Sequence, residues 1–146
     1  MSKAQELEEL LKSIEAKSNK DKVEEFLSRS KDIIKSKSEL RELKGEEIVA
    51  IARGIGWILT IEKVKKAQMR KFLDMVNRLK TQFDLDQAVM LRYRMAYAVS
   101  REKGLKVFMQ IIEPALKKVK EKVDFERLAR LVEAIVAYHA FYGGKD

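Results

Sequence analysis

Apolar side chains recur at every third or fourth residue along almost the whole chain, which is the spacing that buries one face of an α-helix. Alternation of apolar and polar residues, the pattern typical of a half-buried strand, does not extend over any useful length. The pattern therefore predicts an all-α fold, a compact bundle of five to six helices.

The chain divides by charge into two parts. Residues 1–44 carry 11 basic and 10 acidic side chains and are predicted to form a near-neutral N-terminal helical pair. Residues 45–146 form a basic main body, because the net charge of the whole chain is +8. Since 146 residues is an ordinary length for one domain, we expect a single helical domain over residues 1–146.

Several helix ends are predicted from capping residues and helix breakers. The third helix ends near Leu59, and Thr60 has the side chain of an N-cap for the next helix. Pro114, the only proline, lies inside a helical pattern and predicts a kink or a restart there. Asp124 is predicted to cap the last helix.

Two glycines, Gly54 and Gly56, lie inside the third predicted helix. A phosphate-binding loop would need a preceding strand, a third glycine and a Lys-Ser/Thr pair, and the sequence supplies none of them. The better interpretation is close helix packing beside Trp57, or a bend that ends the helix.

The segment from Ile61 to Gln82 combines an apolar face with a cationic face. It holds seven Lys or Arg residues against two acidic residues. A helical projection places on one arc the apolar residues Met69, Phe72, Leu73, Val76, Leu79 and Phe83, and outside it the candidate binding residues Lys66, Arg70, Lys71 and Arg78. A basic outer face also keeps many proteins soluble, so this helix alone leaves both interpretations open.

The segment from Leu85 to Lys103 repeats this division. Its predicted apolar arc consists of Leu85, Ala88, Val89, Met95, Ala96 and Val99. Arg94, Tyr97 and Arg101 lie on the other side, where two guanidinium groups could hold a sugar–phosphate strand beside an aromatic ring. Arg92 projects onto the apolar arc, so we expect its guanidinium to reach solvent or to find a buried acidic partner.

The amino-acid composition limits the kinds of catalytic and metal site that the chain can form and the kinds of partner that it can bind. The absence of cysteine excludes disulfides, thiolate nucleophiles and Cys-based metal sites, and His139 is the only histidine. We expect His139 to be hydrogen bonded at the core edge or in a subunit contact, and we expect no catalytic residue, no metal and no cofactor. The isoelectric point near 9.6 favours a polyanionic partner, with nucleic acid ranked before an anionic membrane.

The sequence also predicts where in the cell the protein is located and whether one further lysine-rich run is exposed to solvent. No apolar run reaches the length of a membrane span, and the N-terminus lacks an apolar signal region, so we expect a cytoplasmic protein without a membrane partner. The run from Lys117 to Lys122 is predicted to be a solvent-facing helix end.

Three short motifs, in consistent order within residues 58–146, resemble one protein family. The first is a helix with Gln68-Met69-Arg70 and Val76-Asn77-Arg78-Leu79, the second combines Met95-Ala96-Tyr97 with Arg101-Glu102-Lys103, and the third runs from Val132 to Tyr138 as Val-Glu-Ala-Ile-Val-Ala-Tyr. Together these helices resemble the small subunit of type III-A (Csm) CRISPR effector complexes. Residues 1–44 carry no comparable motif.

The resemblance implies an antiviral-defence role as a non-catalytic structural subunit of a ribonucleoprotein. Such subunits hold crRNA and target RNA without reading their sequence, while other subunits cleave RNA. The implied partners are crRNA and target RNA, other subunits of the effector complex, and copies of itself through stacking or a homodimer. Among the binding candidates, Arg70 and Arg101 match the family motifs, whereas the others are supported by their place on the cationic faces: Lys66, Lys71, Arg78 and Arg94. Glu133 and Tyr138 match the closing helix, where a packing or subunit-contact role is implied.

Two other functions stay open at this point. A helical protein–protein adaptor with no direct nucleic-acid contact would carry the same basic faces for solubility alone. A DNA-binding regulator ranks last, because the sequence shows no helix-turn-helix with polar recognition residues.

Overall fold

The computed structural model describes residues 1–146 and contains seven α-helices joined by short turns. The helices are α1 (Lys3–Ala16), α2 (Lys20–Lys35), α3 (Gly45–Ile61), α4 (Lys66–Thr81), α5 (Leu85–Arg101), α6 (Lys106–Leu116) and α7 (Lys122–Phe141). Short 3₁₀ turns at Leu40–Glu42 and Lys103–Leu105 precede α3 and α6. No strand forms, and a single isolated bridge joins Lys65 to Lys145. The all-α prediction is confirmed.

The predicted number of helices, five to six, is wrong, because seven separate helices form. The N-terminal helical pair forms as two full helices, as predicted, and it joins the common core. Leu7 and Ile14 of α1 and Phe26 of α2 are completely buried. α1 packs on α3, and α2 packs mainly on α6.

The helix α3 lies at the centre of the bundle and contacts α1, α2, α6 and α7. A Cβ atom on Gly54 would overlap the ring of Phe26 on α2, and one on Gly56 would lie 2.8 Å from the backbone nitrogen of His139 on α7. Close helix packing is therefore the reason for both glycines. The helix runs unbroken through them, so the alternative of a terminating bend is wrong.

The N-cap prediction for Thr60 is wrong, because α3 extends to Ile61. The Thr60 hydroxyl donates a hydrogen bond to the carbonyl oxygen of Gly56 at 2.9 Å, an arrangement that a threonine inside a helix can adopt. The chain then reverses at Lys63, whose φ of 61° lies in the left-handed region. The N-cap of α4 is Lys65.

Two further helix ends differ from the sequence predictions. α6 continues through Pro114 without a restart and ends two residues later, where a missing N–H affects only the last turn. Glu121, rather than Asp124, is the N-cap of α7. Asp124 is the third residue of the helix, and its carboxylate accepts hydrogen bonds from the N–H groups of Lys120 and Glu121 at 2.9 and 3.0 Å.

The hydrophobic core contains 37 buried apolar residues and receives side chains from all seven helices. α4 packs on α7, whereas α5 packs mainly on α6 and lies at the edge of the bundle. This arrangement leaves the outer sides of α4 and α5 open to solvent. None of the helices has the length and apolar character that crossing a membrane would require.

Candidate nucleic-acid interface

The helix α4 separates its apolar and basic side chains onto opposite faces. Met69, Phe72 and Val76 are buried, and the remaining members of the predicted arc pack partly buried against the core: Leu73, Leu79 and Phe83. On the outer face, Arg70, Lys71 and Arg78 are all exposed. The apolar arc predicted for this helix is therefore confirmed, and it turns three cationic side chains toward solvent.

The helix α5 presents two arginines and two tyrosines to solvent. Tyr93 is 57% exposed and Tyr97 is 64% exposed, which is unusual for large aromatic side chains. The guanidinium carbon of Arg94 lies 5.9 Å from the centre of the Tyr93 ring, and that of Arg101 lies 5.8 Å from the Tyr97 ring. Each pair places a cation beside an exposed aromatic face.

The apolar arc predicted for α5 is partly wrong. Leu85, Val89 and Ala96 were expected to face the core, but all three are exposed. The buried residues are Ala88, Leu91 and Met95, because α5 packs mainly on α6 and buries only a narrow strip.

Of the two arrangements expected for Arg92, the structure shows the one in which the guanidinium reaches solvent. Its side chain is 42% exposed, and its guanidinium lies 3.8 Å from the carboxylate of Glu113 on α6. Its Nε atom is buried and has no hydrogen-bond partner. The guanidinium head thus reaches the edge of the bundle while the stem stays against apolar neighbours.

A cleft between α4 and α5 brings one basic residue of each helix together. Lys71 and Arg94 both line this cleft, which has a volume of about 160 Å³. The apolar side chains of Phe72, Met95 and Phe108 line the same cleft. Lys71 of α4 and Arg94 of α5 therefore lie at the same place on the surface.

Five of the six predicted binding residues make no ion pair within the chain: Arg70, Lys71, Arg78, Arg94 and Arg101. Lys66 differs, because it is half-buried and its ammonium lies 3.5 Å from the Asp146 carboxylate. Asp146 is 96% exposed, so water screens this pair and weakens it. The five unpaired residues, with Tyr93 and Tyr97, are called the α4–α5 face below.

Tyr93 belongs to this face, although the sequence analysis singled out only Tyr97. Its position four residues before Tyr97 and next to Arg94 was the available signal, since residues four apart share a helix face. Exposed aromatic rings can stack on bases of any sequence, and unpaired guanidinium and ammonium groups can bind phosphates. The face thus has the chemistry of a sequence-independent nucleic-acid surface.

His139 lies away from this face and is completely buried. Its Nε2 atom is 2.8 Å from the carbonyl oxygen of Val64, and its Nδ1 atom has no partner. Burial lowers the pKa of His139, while the hydrogen bond to Val64 opposes that shift. No group of three or more His, Cys, Asp or Glu side chains is placed to hold a metal ion.

Comparison with known proteins identifies the family. The family model for Csm2 type III-A matches residues 42–145, which include the helices α3 to α7. This chain belongs to the Csm2 type III-A family. The resemblance to the type III-A CRISPR small subunit is thereby confirmed.

One curated relative is also a Csm2 protein. The CRISPR system Cms protein Csm2 of Streptococcus thermophilus is 37% identical over 90 residues, which cover 55% of this chain and 74% of that protein. No solved structure matches the chain. The whole α4–α5 face lies inside the segment matched by the Csm2 family, whereas α1 and α2 lie outside it.

Proposed function

We propose that this Csm2-family protein is a non-catalytic structural subunit of a type III-A CRISPR ribonucleoprotein. In this proposal it binds the backbone of crRNA and target RNA through the α4–α5 face, without sequence specificity. The observation that carries the proposal is the set of five exposed, unpaired cations on α4 and α5, of which Lys71 and Arg94 line one cleft. Family membership supports the assignment to a CRISPR complex.

The physical basis of the proposed binding is neutralisation of phosphates. Lys and Arg side chains that contact phosphates release condensed counterions, so the affinity falls steeply as salt is added. Such contacts position a protein on a strand without reading bases. Tyr93 and Tyr97 would add stacking on unpaired bases, which tolerates any sequence. Lys66 would contribute less, because the Asp146 carboxylate competes for its ammonium.

Exposed apolar side chains on α5 support the proposed protein partners. Leu85, Val89 and Met90 are 42, 49 and 39% exposed and lie on the same helix as Tyr93 and Tyr97. Clusters of exposed apolar side chains mark sites of protein contact. We infer that this end of α5 contacts other subunits of the effector complex or further copies of the chain.

The proposed function is tested by charge reversal on the α4–α5 face. The variant Arg70→Glu/Arg101→Glu should lower the affinity for single-stranded RNA by roughly tenfold or more in low salt, since it replaces two attractive phosphate contacts by two repulsive ones. The matched control is Lys12→Glu/Lys17→Glu, which makes the same charge change at exposed positions of α1 and just after it. Equal losses in the two variants would contradict the site assignment, and the circular-dichroism melting curve shows whether each variant is folded.

The second candidate is a helical protein–protein adaptor with no direct nucleic-acid contact, and the exposed apolar side chains of α5 favour it. It predicts a stable complex with a partner subunit and no shift of RNA in a gel. That combination of results would replace the RNA-binding proposal.

A further inference from the structure

A second basic surface lies in a groove between α2 and α6, which contains none of the residues of the α4–α5 face. The groove has a volume of about 360 Å³ and is lined by five lysines: Lys31, Lys35, Lys106, Lys117 and Lys118. None of the five makes an ion pair within the chain. We call this surface the lysine groove.

Acidic neighbours neutralise Arg29 of α2 on the side toward α1, and the N-terminal segment is nearly neutral in total. Arg29 pairs with Glu25 at 2.8 Å and lies 3.8 Å from Glu6 of α1. Asp32 lines a separate cavity that also includes Arg29 and Glu6. Lys31 and Lys35, four residues apart on the side toward α6, are left without acidic partners.

The groove contains one carboxylate, that of Glu113. This carboxylate lies 3.8 Å from the guanidinium of Arg92, so a cation from α5 already faces it. The Glu113 carboxylate therefore offsets at most one of the five lysine charges. The resulting positive field attracts a polyanion and is screened by salt.

The lining favours a nucleic-acid strand over an acidic protein segment. A protein partner would need apolar anchors at the centre of its contact, whereas the only apolar side chains here are those of Met109 and Pro114. The Gln110 amide and the lysine ammonium groups are hydrogen-bond donors suited to phosphate oxygens.

The groove also has the length that several phosphates require. Lys106 is the first residue of α6 and Lys117 follows its last residue, so the row spans about 16 Å at 1.5 Å per residue. A row of that length lets more than one phosphate of a strand contact the groove at the same time.

We propose that the lysine groove is a second phosphate-binding surface, on which single-stranded nucleic acid lies by its sugar–phosphate backbone. This inference deepens the proposed function and rests on it, because the same ribonucleoprotein would supply the strand. Two of the five groove lysines, Lys31 and Lys35, come from α2, which lies outside residues 42–145 matched by the Csm2 family. α2 thus adds cations to this surface from beyond the segment that the family shares.

The test compares two triple variants with the same change in charge. Lys31→Gln/Lys35→Gln/Lys117→Gln removes groove lysines, and Lys3→Gln/Lys12→Gln/Lys17→Gln removes three exposed lysines in and next to α1. Binding of fluorescein-labelled poly(U) RNA to the full chain is measured by anisotropy over a series of salt concentrations. The groove variant should lower the slope of log affinity against log salt by about 2, at roughly 0.7 for each lost contact with a single strand.

The outcomes separate this inference from the proposed function. If the groove variant and the α1 control give equal slopes of log affinity against log salt, the second surface is overturned. If RNA affinity then falls only in Arg70→Glu/Arg101→Glu, the proposed function is still supported. A lower slope in the groove variant, with no effect of Arg70→Glu/Arg101→Glu, would support the groove and contradict the α4–α5 face. If poly-glutamate binds the wild-type chain more tightly than poly(U) RNA does, and loses that advantage in the groove variant, the groove prefers acidic protein and the proposal is overturned.

Discussion

Replacing Asp124 by asparagine should destabilise the protein by about 2 kcal/mol at neutral pH. The Asp124 side chain is completely buried, and its carboxylate accepts hydrogen bonds from the Arg41 backbone N–H and the Arg41 Nε, both at 2.9 Å. It also accepts from the N–H groups of Lys120 and Glu121. Asparagine keeps the shape but offers one oxygen, and its amide N–H groups would face other donors.

The magnitude follows from the pKa of the Asp124 carboxyl. Burial alone raises this pKa, but the hydrogen bonds from Arg41 and from the backbone outweigh burial and lower it from 3.8 to about 2. At about 1.4 kcal/mol for each pH unit, the ionised carboxylate stabilises the fold by about 2 kcal/mol. The Arg41 side chain is 32% exposed, so solvent screening makes this an upper value.

The sign of the pH dependence is fixed by the same two pKa values. Because the folded pKa lies below the unfolded one, the stabilisation is complete above about pH 4 and is lost as the pH falls through about 2. Urea unfolding of the wild type and Asp124→Asn should therefore differ by about 2 kcal/mol at about pH 7 and by about half of that at about pH 3. The control is Asp74→Asn, at an exposed position of α4. An effect of Asp124→Asn no larger than that of the control at pH 7, or a difference that does not shrink at pH 3, would refute the reasoning.

Two further predictions concern the contact between α3 and α7 and the region around it. Gly56→Ala should destabilise the fold by about 1–3 kcal/mol, because its Cβ would lie 2.8 Å from the His139 backbone, whereas Gly45→Ala has no atom within 4 Å and should be nearly neutral. Equal urea midpoints for these two variants would contradict the packing argument. Because burial lowers the pKa of His139, the unfolded chain takes up the proton first, so stability should fall as the pH drops below about 6.5. In His139→Gln, stability should change less between about pH 7 and pH 5 than in the wild type. If the two proteins show the same change, another group causes it.

Periodicity was sufficient for the fold class and for the buried face of α4. That helix has apolar side chains on one arc only, so its projection leaves a single choice of buried face. α5 has apolar side chains all around its axis, including Val89 on one side and Leu91 on another. Which of them is buried depends on the neighbour that the helix meets, and periodicity within one helix contains no information on that neighbour.

The helix ends show a similar limit. Thr60 and Asp124 both have side chains suited to an N-cap, yet Thr60 bonds back inside α3 and Asp124 lies two residues beyond the first residue of α7. Their roles depend on partners close in space, such as Arg41, which is 83 residues from Asp124 along the chain.

The two basic surfaces differ in how far the sequence could predict them. The cations of α4 and α5 could be assigned to the outer face of each helix from helical spacing alone. The lysine groove joins α2 to α6, and residues 1–44 look neutral in total because acids and bases of α2 cancel in a sum. Only the fold shows that Lys31 and Lys35 of α2 lie opposite the lysines of α6 and the turn after it.

The central claim, that RNA lies along the α4–α5 face, is tested most directly by nuclear magnetic resonance of the 17.0-kDa chain. An ¹H–¹⁵N spectrum is followed while poly(U) RNA is added in low salt, and salt is then added to the complex. The account predicts that backbone signals around Arg70, Lys71, Arg94 and Arg101 shift together and return as the salt concentration rises. Shifts that avoid α4 and α5, or that persist in high salt, would contradict it.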